Sequence, residues 1–170
     1  MKIAVFGSAF NPPSLGHKSV IERLGHFDKV LLVPSISHAW GKAMLPYESR
    51  LNMITAFISD LALSNVELST LEKEIHIPEQ NVTTFSLLKT LQELHSNADI
   101  TFIIGPDNLL KFDKFFKADE IIKRWSVMAC PETLPIRSTD IRNTIQRGED
   151  ISHLTTKGVQ EYISRHQLYE

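Results

Sequence analysis

The chain has 170 residues, 42% of them hydrophobic and 22% charged, with a formal net charge of -2. Those proportions fit one globular domain over residues 1–170, and the charge excludes a general field for DNA or RNA, so any phosphate site has to be local and built from a few aligned groups. Cys130, the only cysteine, excludes an internal disulfide and a cysteine-based metal cluster, and the apolar run Ile3–Phe6 is too short for a signal peptide or membrane span, so the expected compartment is the cytoplasm.

The first β-branched and apolar run, Lys2–Phe6, reads as a buried strand. It leads into Gly7-Ser8-Ala9-Phe10-Asn11-Pro12-Pro13-Ser14-Leu15-Gly16-His17, after which Val20, Ile21 and Leu24 mark a helix. Gly7 lets the backbone approach a ligand, the two prolines stiffen the loop, and free N–H groups at the helix start favour an anion. His17, in the first turn, is placed to donate to a phosphoryl oxygen whose charge grows in a transition state; Ser14 offers either a second donor or a helix cap.

Lys29–Val33 is the second strand. His38-Ala39-Trp40-Gly41-Lys42 follows, and then a helix with Leu51, Ile54, Phe57, Ile58 and Leu61 on one face. Asn65–Leu68 is the third strand, and Leu87, Leu88, Leu91 and Leu94 mark a second long helix after Asn81-Val82-Thr83-Thr84. Asp99–Ile104 is the fourth strand, ending in the turn-forming Gly105-Pro106-Asp107-Asn108. Trp125–Cys130 is the fifth, separated by only Pro131–Pro135 from Ile136-Arg137-Ser138-Thr139-Asp140-Ile141-Arg142, where Ser138 or Thr139 is placed to cap a helix with Arg142 about one turn inside.

The remainder to Glu170 carries two helical patterns, Ile141/Ile145 and Val159/Tyr162/Ile163/His166. Strands alternating with helices predict an α/β fold: a Rossmann-like doubly wound parallel sheet of about five strands, helices on both faces, a C-terminal helical segment, and a ligand crevice at the carboxyl ends of the strands. Neither the P-loop nor the dinucleotide glycine fingerprint occurs, which removes the main support for kinase and dehydrogenase readings.

Gly7 to His17 resembles the G-x-F-(N/D)-P-x-(H/T)-x-G-H element of the nucleotidyltransferase superfamily, and Ile136 to Arg142 resembles its I-S-S-T-x-(I/V)-R element. Within it the chain is most similar to the nicotinate/nicotinamide mononucleotide adenylyltransferases. His38–Lys42 with Arg50 and Met53 resembles their acceptor segment, Asn81–Leu88 resembles their T-x-x-T-L stretch, and Ile104–Asp107 their G-x-D turn.

The resemblance implies transfer of AMP from ATP to nicotinic acid or nicotinamide mononucleotide. It implies catalytic roles for His17, Ser14 and Arg142, and ATP contacts from Gly7, Ser8, Phe10, Gly16, Gly105, Asp107, Ser138 and Thr139. Trp40, Lys42, Arg50, Thr83 and Thr84 would meet the acceptor. Mg²⁺ is expected on the triphosphate with no protein metal ligand.

Two departures stand out. Ser14 occupies a position where this subfamily usually has His and phosphopantetheine-directed relatives have Thr; Ala129-Cys130-Pro131 stands where many relatives carry an Arg-containing turn. Transfer to another phosphate acceptor such as phosphopantetheine, and nucleotide sensing without catalysis, are the alternatives these departures leave open.

Overall fold

Alternation along the first strand sends Ile3 and Val5 to one face and Ala4 and Phe6 to the other, as a strand covered on both sides requires. The computed structural model describes residues 1–37 and 43–170. In it β1 (Lys2–Ser8) lies between β2 (Lys29–Pro34) and β4 (Asp99–Ile104), while β3 (Val66–Leu68) flanks β2 and β5 (Ser126–Ala129) flanks β4. The order is β3-β2-β1-β4-β5, and every pairing is parallel.

Parallel neighbours need crossover connections, and the helices supply them on both faces. Helices α1 (Leu15–Ile21) and α2 (Tyr47–Leu61) pack with Ala4, Phe6, Val30 and Leu32 through Val20, Ile21, Met53, Ile54 and Phe57. On the other face, α3 (Leu71–Ile75), α4 (Thr84–Leu94) and α6 (Ala118–Arg124) cover Ile3, Val5, Ile100 and Phe102 through Leu71, Phe85, Leu88, Leu91 and Ile121. Phe57 and Leu88 are fully buried, and each such side chain contributes about 1.5–3 kcal/mol relative to exposure.

The short α5 (Pro106–Leu110) follows β4 directly and buries none of its residues. Finally α7 (Ser138–Gln146) and α8 (Lys157–His166) join the first face through Ile141, Val159 and Ile163. Among the described residues no helix is long and apolar enough to cross a membrane.

The five strands and the two late helices stand where the hydrophobic pattern puts them. Strand β1 runs on through Gly7 and Ser8, which pair with Val33 and Pro34. From β1 the chain winds to β2 and β3 on one side, then returns to β4 and β5 on the other. Its switch point, the carboxyl ends of β1 and β4, is where such sheets leave a crevice.

Candidate active site

A cleft of about 390 Å³ opens at that switch point. Gly7 and Ser8 line it from β1, His17 from α1, Gly105 and Asp107 from the turn after β4, and Arg137 from the segment before α7.

His17 is held from three directions. The Ser14 backbone N–H donates to its Nδ1 at 3.0 Å, and its Nε2 lies 3.0 Å from Ser8 Oγ. An Nδ1 that accepts from an amide carries no proton, so the neutral ring has its hydrogen on Nε2, directed at Ser8 on the cleft wall. The Phe10 ring lies 4.7 Å from the imidazole, centroid to centroid. Desolvation by burial lowers the pKa from 6.5 to about 4, so at neutral pH His17 is an uncharged donor.

Ser14 takes the helix-cap alternative. It is 1% exposed and caps α1: its Oγ accepts from His17 N at 3.2 Å and donates to Ile136 O at 3.1 Å. With the Ser14 N–H on Nδ1 this forms a capping box in which His17 takes the place usually held by Glu. The hydroxyl is therefore committed to the fold.

At the start of α1, Leu15 N donates to Leu154 O at 2.9 Å and His17 N to Ser14 Oγ. Gly7 has ordinary space, a Cβ there lying 3.8 Å from Val33 O. At Gly16 a Cβ would overlap the Ile136 carbonyl oxygen, so a side chain there forces backbone to shift.

The second motif closes on the first. Ser138 is the first residue of α7 rather than its cap; its Oγ donates to Pro12 O at 2.6 Å, while Asp140 Oδ2 accepts from Arg137 N at 2.9 Å. Arg142 Nη1 donates to Asn11 O at 2.7 Å and Nη2 to Thr139 Oγ1 at 3.1 Å. Arg142 and Thr139 thus sit together beside the Phe10–Pro12 loop, joined to it through Asn11 O.

Arg50, expected at the acceptor, is 1% exposed and braces the wall behind. Its Nη1 donates to Ala9 O at 3.0 Å and Ser35 O at 2.7 Å, and its Nε donates to Leu45 O at 3.0 Å. A buried guanidinium needs such acceptors, and three backbone segments provide them. Glu72, on α3, accepts from Ile36 N at 3.3 Å, so the Ser35–Ile36 peptide is gripped at its carbonyl by Arg50 and at its N–H by Glu72. Burial pushes the Glu72 carboxyl up to about 7, opposed by the Ile36 hydrogen bond and by Arg50.

Thr83 caps α4 by accepting from Ser86 N at 3.1 Å, and Thr84 is the first residue of that helix. A bond from Ser37 Oγ to Asn81 Oδ1 at 2.9 Å holds this helix start beside the exit of β2. Trp40 and Lys42 lie outside the described residues.

Asp107 pairs with Arg137 across the cleft at 3.3 Å, both side chains well exposed. Glu132 lies nearby, its carboxyl pushed up by burial against the opposing pull of Arg137. Among the described residues no group of three or more His, Cys, Asp or Glu side chains is placed to hold a metal ion.

Residue patterns alone did not single out Asn11, Glu72, Arg137 or Tyr169. Asn11 and Arg137 had a signal, their places in the G-x-F-N-P run and in the Ile136–Arg142 element; Glu72 and Tyr169 are recruited by tertiary packing.

A parallel sheet with this order, a neutral histidine donor in the switch-point cleft and a second motif joined to the first make an α/β fold with a small-ligand cleft at its switch point. The profile of the cytidylyltransferase-like family matches residues 5–144, and the chain belongs to that family. A solved structure from Vibrio parahaemolyticus, described as a candidate nicotinate-nucleotide adenylyltransferase, is 56% identical with a TM-score of 0.89, covering 99% of this chain and 94% of that one. A Myxococcus xanthus protein named probable nicotinate-nucleotide adenylyltransferase is 31% identical, over 99% of this chain and 95% of its own. The nicotinic acid mononucleotide adenylyltransferase of Plasmodium falciparum, solved with NaAD, shares the fold at 20% identity and a TM-score of 0.80, over 99% of this chain and 97% of its own.

Proposed function

We propose that this protein transfers AMP from ATP to a pyridine mononucleotide, with nicotinic acid mononucleotide as the acceptor, giving the dinucleotide and pyrophosphate for NAD biosynthesis. The observation that carries the reading is the His17 imidazole, neutral, protonated on Nε2 and aimed into the switch-point cleft. The names of the relatives support the nicotinate acceptor.

An acceptor phosphate oxygen attacks the α-phosphorus in line; a P–O bond forms on one side and the bond to the pyrophosphate oxygen breaks on the other. His17 Nε2–H exchanges Ser8 Oγ for a non-bridging α-phosphate oxygen and stabilises the charge that grows there. Arg142 with Thr139 faces the triphosphate, and Asp107 the ribose hydroxyls. The start of α4 at Thr83 and Thr84 borders the pyridine ring. Mg²⁺ is carried in on the triphosphate and offsets its charge.

Pyrophosphate release from Mg-ATP, with nicotinic acid mononucleotide, nicotinamide mononucleotide and phosphopantetheine offered separately, tests the proposal. Release with the nicotinate form is the expected result. Release with phosphopantetheine alone, or with none of the three, overturns it.

A further inference from the structure

Phe10 adopts a left-handed backbone conformation at φ 49. For a residue with a side chain that conformation costs about 1–2 kcal/mol, so it needs support from its neighbours. The support is visible on both sides: Arg50 Nη1 holds Ala9 O at 3.0 Å, and Arg142 Nη1 holds Asn11 O at 2.7 Å.

A third fastener comes from far along the chain. Beyond α8, Gln167 turns the backbone at φ 50 and Leu168 N donates to Ile163 O, which folds the following residues back onto the core that contains Phe10. There Tyr169 Oη donates to Asn11 Oδ1 at 2.7 Å, an oxygen that also accepts from Leu45 N at 3.3 Å. Burial pushes the Tyr169 phenol well above its ordinary range, outweighing Arg142 and Arg50, so it remains a hydrogen-bond donor across the working pH range.

Phe10 is 1% exposed and its ring is the near neighbour of the His17 imidazole at 4.7 Å. We propose that Tyr169 is a positioning residue: through Asn11 and Phe10 it fixes where the His17 ring stands, and so how well its Nε2–H meets the α-phosphate. The catalytic half of this inference rests on the transfer reaction proposed above; the geometric half does not.

The test compares Tyr169→Phe with Tyr162→Phe. Tyr162, on α8, accepts from Asn52 Nδ2 at 3.1 Å, so its variant also loses one tyrosine hydroxyl bond, but away from the cleft. Turnover, both KM values, Tm and the ¹H–¹³C ring signals of His17, identified by their absence in His17→Gln, are measured for each.

Tyr169→Phe is expected to lower kcat about five- to tenfold, the worth of one hydrogen bond, with both KM values within about twofold. Its His17 signals should move, while Tyr162→Phe leaves kcat and those signals at wild-type values. The inference is overturned if Tyr169→Phe changes Tm alone and leaves the His17 signals in place. Should the wild type turn over no pyridine mononucleotide, the functional proposal fails, and the His17 signals still decide whether Tyr169 sets the ring.

Discussion

Gly16 and Ile136 meet so closely that a methyl group on the glycine would overlap the isoleucine carbonyl oxygen. The same carbonyl accepts the Ser14 hydroxyl, so the two motif segments, far apart in sequence, touch at a single backbone oxygen. Replacing Gly16 with Ala forces backbone to move rather than a flexible side chain. Overpacking of this kind costs about 1–3 kcal/mol, and the expected result is a Tm lower by several degrees, read by thermal unfolding. An unchanged Tm would mean the contact is looser than described.

His17→Ala should lower kcat by about 10²–10³, the effect of removing one oriented donor, while ATP binding measured by calorimetry stays within a few fold. Loss of binding with the same loss of turnover would make His17 a ground-state contact instead.

Because the His17 pKa is lowered from 6.5 to about 4, the unfolded chain binds the proton between those values and the folded chain does not. Its contribution to stability is therefore constant above pH 6.5 and declines as the pH falls toward 4. Denaturant titrations in this window should show a shallower pH dependence for His17→Gln than for wild type.

Glu72 gives the opposite slope. Its carboxyl is raised from 4.5 to about 7, so the folded state holds the proton more tightly, and stability falls as the pH rises from 4.5 to 7, then levels. Glu72→Gln keeps an acceptor for the Ile36 N–H and removes the ionisation. The variant should be more stable than wild type at pH 8, by on the order of 1–3 kcal/mol, and much closer to it at pH 5. Equal midpoints at both pH values would show that Glu72 ionises freely.

The Asp107–Arg137 pair is exposed, and exposed pairs contribute roughly 0–1 kcal/mol. Asp107→Ala should leave Tm nearly unchanged while raising the KM for ATP about tenfold, the loss of one charge-assisted contact. A fallen Tm with an unaltered KM would assign the pair to the fold alone.

Much of the architecture could be read from period-2 and 3.6 patterns: Ile3/Val5 against Ala4/Phe6, and Leu87, Leu88 and Leu91 on one side of α4. Helices α3, α5 and α6 are only five, five and seven residues long, too short for a period to register. At the site, strand-to-helix order located the cleft and His17, because local sequence sets both. What each polar group does was harder to read. Ser14, Ser138 and Arg50 belong to residue types that serve ligands and carbonyls equally well, and their partners at Ile136, Pro12 and Ser35 are chosen by tertiary contacts. Glu72 and Tyr169 had no local signal, since their partners Ile36 and Asn11 are brought to them by the sheet and by the turn after α8.

Arg50 bonds the carbonyls of both Ser35 and Leu45, so one side chain, rooted outside the intervening segment, fixes the separation of its two ends. The consequence is a shared fastener: loss of this one side chain frees the Ala9 and Ser35 carbonyls together, so the loop that carries Phe10 and the exit of β2 come loose at once.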